Sequence, residues 1–291
     1  MKYLGIDGGG SKTSFLLVDE YDNEVSRIYT GPSNWISVGA ETAKTAIRDG
    51  LEQLIDIPDV VCAGFAGSAR PEGAAFYKEV LTSLLPHATI IIESDAFIAS
   101  IGANGVDPGI LLIAGTGSIV IGRTKEGSMF RVGGWGPHFG DEGSGFWVGR
   151  EAVRTALRSV DSQDSKEFAQ TIAGSLGLKS AADIVSAWAT GKIGVPEIAG
   201  LFPCVVSIYP AEPSNRILTE AASHLRSLME IATKRVGIED CRKALSGSVA
   251  NHPIMRNLIG MAFEEPHHSP EWGAVIWARQ HVRKPEARNQ N

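Results

Sequence analysis

The chain has 291 residues, 43% hydrophobic and 21% charged, with a formal net charge of −6, an ordinary globular composition that excludes a disordered or fibrous protein. Its Lys and Arg residues are scattered without forming a basic face, which argues against a nucleic-acid partner, and no run of about 18 apolar residues is present to span a membrane. Cys62, Cys204 and Cys241 are isolated and make neither a disulfide framework nor a zinc pattern, and with no signal-peptide pattern after Met1 they predict a cytoplasmic protein.

The length predicts about two domains. Residues 3–7 read as a buried strand, and 13–19 as a second strand across a glycine turn. A third strand is predicted near 23–29. A helix follows over 39–55, with Ala43, Ala46, Ile47, Leu51 and Leu54 on one face. Residues 60–67 form an apolar strand ending in glycine, 73–85 a helix, and 88–96 a buried strand that runs into Glu93, Ser94 and Asp95. Strands alternating with helices in this way predict helices packed over a mixed sheet.

The layout then restarts. Residues 109–124 again read as apolar strand, glycine turn with Ser and Thr, apolar strand. We therefore divide the chain into an N-terminal lobe, 1–107, and a C-terminal lobe, 108–291, with the last helix packing back on the first lobe. The second half is more helical, and over 215–236 Leu218, Ala222, Leu225, Met229, Ala232 and Val236 form a stripe fit for a core or a dimer surface. The polar tail, 284–291, is expected to fray.

Glycine is enriched, at 33 of 291 residues, and it clusters. In DGGGSKT (7–13) an aspartate ends a strand, and Gly8, Gly9 and Gly10 offer backbone N–H groups that a polyphosphate can approach without Cβ interference; Ser11, Lys12 and Thr13 add donors. The segment after this loop is β-branched and apolar, not helical, and Ser11 precedes Lys12. Those two facts exclude a Rossmann or Walker site. AGTGS (114–118) is a second such loop, with Ala114 where the first has Asp7. Seven glycines in 131–149 surround Trp135, Asp141, Glu142 and Ser144, the mixture of aromatic surface and hydroxyl acceptors that a sugar pocket uses. His138 has no metal-like partner at helical spacing. Asp95 stands where α/β sheets present their ligands, but it also stands where a helix cap would, and the pattern alone leaves both roles open.

DGGGSKT, SNW (33–35), SDA (94–96), AGTGS, GGWG (133–136), GDEGS (140–144), GSV (247–249) and SPEWGA (269–274), in that order across nearly the whole chain, resemble the N-acetylglucosamine and glucosamine kinases. These belong to the BadF/BadG-type ATPase group of the actin/hexokinase superfamily. The resemblance implies a two-lobed α/β fold of actin/hexokinase (ribonuclease H-like) type, each lobe a mixed sheet flanked by helices. It implies ATP and Mg²⁺ as cofactors, an amino sugar phosphorylated at its 6-hydroxyl, and by analogy a homodimer. Carried onto this chain, it makes Asp95 the general base. It places Gly8, Gly9, Gly10, Ser11, Lys12, Thr13, Gly115, Thr116, Gly117 and Ser118 on the phosphates, and Asp7 beside the metal, reaching it through water because magnesium keeps much of its hydration shell. Gly247, Ser248 and Val249 fall to the nucleoside, and Asn34, Trp35, Gly134, Trp135 and Asp141 to the sugar. Glucosamine, hexose or muramic-acid kinases share the motifs. Activators of 2-hydroxyacyl-CoA dehydratases belong to the same group, but they carry a cysteine-held iron–sulfur cluster, and the glycine-rich segments here contain no cysteine.

Overall fold

The computed structural model describes residues 1–282. The chain opens with β1 (Tyr3–Gly8), β2 (Thr13–Val18) and β3 (Glu24–Thr30), an antiparallel meander. A one-turn helix α1 (Trp35–Val38) and helix α2 (Ala40–Glu52) lead to β4 (Val60–Phe65), then α3 (Pro71–Leu84), β5 (Thr89–Ser94) and α4 (Asp95–Asn104). β4 and β5 add in parallel on the far side of β1, giving the sheet order β3-β2-β1-β4-β5. Alternate residues of these strands serve two layers. Leu4, Ile6, Phe15, Val61, Ala63 and Phe65 pack under Ile47 of α2 and Tyr77 and Leu81 of α3, while Val60, Cys62 and Ile91 face Ile98 of α4. With both faces covered, β2 and β4 are buried at every position and read as continuous apolar runs.

The second unit starts with β6 (Gly109–Ala114), β7 (Ser118–Arg123) and β8 (Met129–Gly133), again an antiparallel meander. Seven helices follow, α5 (Gly145–Ser162), α6 (Lys166–Ser175), α7 (Ala181–Ala189), α8 (Val195–Ala199), α9 (Phe202–Ile208), α10 (Ser214–Val236) and, after β9 (Arg242–Ser246), α11 (Pro253–Ile259). β9 pairs in parallel with β6, so the order is β8-β7-β6-β9. Both sheets therefore share one plan: a first strand with its hairpin partner antiparallel on one side and a later strand parallel on the other. One core holds this unit together, with Ile110, Leu112 and Ala114 against Trp147 and Ala152 of α5 and against the α10 stripe. Leu218, Ala222, Leu225, Met229, Ala232 and Val236 are all buried there, so the stripe is core and offers no dimer surface.

The last described helix, α12 (Pro270–Val282), belongs with the first unit, which comprises Met1–Asp107 and the chain from Glu265 onward; the second unit is Pro108–Glu264. The C-terminal lobe thus stops short of the 108–291 read from sequence. α12 lies on α4 at backbone-contact distance, since a Cβ on Gly273 would stand 2.0 Å from the Ile98 carbonyl oxygen and one on Gly102 would stand 2.5 Å from that of Ser269. Ala274 and Ala278 complete the layer over Cys62 and Ile98. The expected fraying at 284–291 lies outside the described residues.

Candidate active site

In the first unit the β1–β2 turn is closed by the Gly9 N–H donating to the Lys12 carbonyl at 3.0 Å. The Gly9 carbonyl in turn accepts the N–H groups of Ser33 (3.1 Å) and Asn34 (3.2 Å), and the Thr13 hydroxyl donates to the Gly31 carbonyl and is hydrogen-bonded to the Ser33 hydroxyl. The SNW segment is thereby docked onto the glycine turn. Asn34 caps α1 through Oδ1, which accepts from the Ile36 N–H. Trp35 is half-buried against the core, its ring stacked on Phe76 with centroids 5.5 Å apart, and its buried Nε1 has no hydrogen-bond partner. Lys12 and Ser11 are exposed, Lys12 Nζ standing 5.2 Å from the centre of the Tyr29 ring.

Asp95 is the first residue of α4, but the cap of that helix is Ser94, whose Oγ accepts from the Phe97 N–H at 3.1 Å. The Asp95 carboxylate receives only local backbone support, from the Ala96 N–H at 2.8 Å, and burial pushes its pKa up. Asp7, at the end of β1, is pushed up further, to about 7, by burial first, then by the charges of Asp95 and Glu271, with Lys12 pulling the other way. Glu271, 5% exposed in the first turn of α12, is held by Arg27 Nη1 at 2.5 Å. Such a crowd of carboxylates fits a hard cation, which would relieve the repulsion that raises Asp7. Among the described residues no group of three or more His, Cys, Asp or Glu forms a metal cage; magnesium does not ask for one, since it keeps water and takes substrate oxygens in place of protein ligands. Asp7 is the residue that would hold it.

In the second unit the β6–β7 turn is seated on the N-terminus of α5. The Gly145 N–H donates to the Gly115 carbonyl at 2.7 Å and the Phe146 N–H to the Thr116 carbonyl at 3.1 Å, while Ser144 caps the helix by accepting from the Trp147 N–H. The Val249 and Ala250 N–H groups both donate to the Ala114 carbonyl, and Gly247 packs against Ala114. This brings AGTGS and GSV together. A cavity of about 390 Å³ opens between them, lined by Gly115, Thr116, Ser248 and Val249 and by Pro196, Ala199, Gly200, Phe202, Pro203 and His252. The latter six come from α8, α9 and the α11 cap. Their segments are too short to show a period, so periodicity does not find them.

Asp141 has left-handed backbone (φ 59°) and its Oδ1 accepts the Gly136 N–H at 3.2 Å, tying the 133–143 loop to itself. Burial raises its pKa, and backbone N–H groups of Gly136 and Ser118 pull it back. The Ser118 hydroxyl donates to the Glu142 carbonyl at 2.8 Å, so the second glycine turn and the sugar-loop candidate are bonded directly. Gly134 leads into this loop at φ 69°. Trp135 is 66% exposed, and one of its faces is covered by the Arg131 guanidinium, 3.9 Å from the ring centre. Arg131 also donates to the carbonyls of Gly133 and Gly134. His138 is exposed, its ring centre 6.3 Å from that of Phe139.

The sequence profile of the BadF/BadG/BcrA/BcrD ATPase family matches residues 4–278. The chain belongs to this family. An N-acetylmuramic acid/N-acetylglucosamine kinase of Clostridium acetobutylicum is 35% identical over 265 residues, covering 87% of each chain. Among solved structures, a Chromobacterium violaceum protein assigned as an N-acetylglucosamine kinase superposes with a TM-score of 0.77 at 24% identity, over 94% of this chain and 98% of its own. A hexokinase of the ROK family from Thermus thermophilus gives 0.56 at 15% identity, over 97% and 99%. The family's fold is thus the hexokinase-like α/β fold expected from the motifs, with a mixed sheet and flanking helices in each unit. No helix among the described residues is long and apolar enough to cross a membrane.

Proposed function

We propose that this chain is an ATP-dependent amino-sugar kinase that transfers the γ-phosphate to the sugar 6-hydroxyl, with N-acetylglucosamine its preferred acceptor. The observation that carries the reading is Asp95. Because Ser94 does the capping, nothing in the helix requires a carboxylate at 95. A buried carboxyl group with a raised pKa is suited to accept a hydroxyl proton, since a base works best with its pKa near the working pH. Kinases named for N-acetylglucosamine among the similar proteins support the acceptor.

In this reading residues 8–13 and 115–118 supply donors to the phosphates, and the cavity beside Ser248 and Val249 takes the nucleoside. Asn34, Trp35, Gly134, Trp135 and Asp141 hold the sugar. Magnesium beside Asp7 would neutralise phosphate charge, which phosphoryl transfer needs more than any covalent chemistry from the protein. Cys62 and Cys241 are buried and Cys204 is partly exposed, all three as free thiols, the state a reducing compartment maintains.

The test is ADP release in the presence of N-acetylglucosamine, glucosamine, N-acetylmannosamine, glucose and N-acetylmuramic acid. The expected result is the highest kcat/KM for N-acetylglucosamine. A higher value for another sugar would move the acceptor, and ADP release indifferent to every sugar would remove the kinase reading.

A further inference from the structure

The second unit contains another cavity, of about 420 Å³, which Pro137 and His138 of the 133–143 loop help to line but none of the residues assigned to sugar or nucleoside does. Its floor is apolar: Phe146 and Val153 of α5, Ile184 of α7 and Ile198 of α8. Trp188 and Val185 of α7 form one wall and remain 42% and 54% exposed. The Trp188 ring lies 6.2 Å from that of Phe146, tilted 31°, so the two present an aromatic corner. Arg150 and Arg154, one turn apart on α5, stand along the other side.

The charge of these arginines is only partly answered. Both approach the same oxygen of Glu151, Arg150 Nε at 3.4 Å and Arg154 Nη1 at 3.0 Å. Two guanidinium groups against one carboxylate leave a net positive edge, on a chain whose overall charge is −6. Moreover, Arg150 Nε is a buried atom with no hydrogen-bond partner. Glu151 stands at ion-pair distance from this atom but outside hydrogen-bonding geometry, so the carboxylate leaves donor capacity of the two guanidinium groups unused. The size falls within the range of small-molecule sites, and their usual make-up is an apolar lining with a few fixed polar groups.

We propose that this cavity is a second ligand site, which takes a small amphipathic acid: a flat or branched apolar body against Phe146 and Trp188, with its carboxylate or phosphate on Arg150 and Arg154. The site is separate from the 390 Å³ cavity, yet the two share a partition. Phe146 and Ile198 line one, and their chain neighbours Gly145 and Ala199 line the other. α5 and α8 are in backbone contact at this partition, where a Cβ on Gly149 would stand 1.9 Å from the Ile198 carbonyl oxygen.

Isothermal titration of the full chain with phenylacetate, phenyl phosphate, phenylacetamide and acetate tests the proposal, each with and without saturating ATP. The two aromatic anions are expected to bind about tenfold or more tighter than the neutral amide or acetate, since a charge-assisted bond is about twice as strong as a neutral one. Whichever anion binds more tightly identifies the headgroup. Arg150→Met should remove that advantage while leaving the amide unchanged, Trp188→Ala should weaken every aromatic probe, and both variants should keep their unfolding temperature near that of the parent. Displacement of the anions by ATP, no preference for anion over amide, or anion binding indifferent to Arg150→Met would overturn it. So would a dimer, seen by sedimentation, that Trp188→Asp dissolves, because the face would then belong to a second copy of the chain.

Discussion

Asp141 occupies the space a side chain at Gly117 would need: its Oδ2 lies 2.7 Å from where a Cβ on that glycine would stand. Gly117→Ala should therefore push the carboxylate off the turn and disturb the 133–143 loop bonded through Gly136. We expect kcat/KM for the sugar to fall at least about tenfold, with a stability loss of about 1–3 kcal/mol typical of overpacking. Gly115→Ala is the contrast, because a Cβ there meets nothing within 4 Å. It should keep the parent's melting temperature and raise only the KM for ATP. Parallel steady-state kinetics and thermal melts of the two variants separate these effects, and a harmless Gly117→Ala would contradict the arrangement.

Asp95→Asn keeps shape and hydrogen bonding but loses the basic oxygen. If Asp95 accepts the hydroxyl proton, kcat should fall about 10²–10⁴-fold with the sugar Kd little changed. Ser94→Ala should do the opposite, costing about 1 kcal/mol of stability for a lost cap with kcat largely retained. Asp141→Asn should raise the sugar KM with a smaller fall in kcat, as loss of a binding contact does. Near-normal turnover in Asp95→Asn would remove the base from the mechanism.

The three glycines of the first turn should divide by mechanism. A Cβ on Gly8 would meet the Phe65 ring at 2.1 Å and Ser33 Oγ at 2.5 Å, so Gly8→Ala should destabilise the first unit by about 1–3 kcal/mol. Gly9 and Gly10 have no such neighbours, the nearest atom to a Cβ on Gly9 being the Lys12 carbonyl oxygen at 3.5 Å. Gly9→Val should therefore spare the fold and raise the KM for ATP, with sugar binding intact. Separate calorimetric titrations with ATP and sugar check this, and equal loss of both would point to misfolding.

Asp7 couples stability to pH. Its pKa in the folded chain, about 7, lies above the ordinary 3.8, so the folded state holds a proton that the unfolded chain releases between those values. That contribution is complete below about pH 4 and is lost as pH rises through 7. Asp7→Asn removes the charge that burial and Asp95 oppose, and without metal or nucleotide it should raise the melting temperature more at pH 8 than at pH 5. A gain on the order of 1–3 kcal/mol at pH 8 follows, because each tenfold change in proton affinity is worth about 1.4 kcal/mol and the newly buried amide gives part of that back. Activity should be lost at the same time. Equal gains at the two pH values would show that Asp7 is not the group responsible.

The two glycine turns, the strands that flank them and the long α10 stripe were legible because local pattern and burial agree there. Asp95 was legible only as an alternative, since Asn, Ser and Asp all cap helices, and the Ser94 Oγ bond gives the cap to its neighbour. Trp35 was legible only through the SNW motif, and its packing on Phe76 comes from a helix about forty residues further on, which no local pattern encodes. Glu271 went without a role although SPEWGA was noticed; its significance lies in reaching Asp7 from a helix at the other end of the chain, which no spacing encodes. The cavity residues of α8 and α9 were illegible for the plain reason that helices of five and seven residues carry no period.

The chain order of the two units sets a timetable for biosynthesis. Residues 108–264 form one uninterrupted stretch, whereas the first unit waits for α12. Until that helix leaves the ribosome, Leu16, Val18 and Cys62 lack the cover that Val275, Ala274 and Ala278 give them. At about 5–20 residues per second the wait is on the order of ten seconds. Throughout it the nascent chain carries an apolar sheet face in the open while the second unit is free to fold, so α12 decides when β2 and β4 are safe from aggregation.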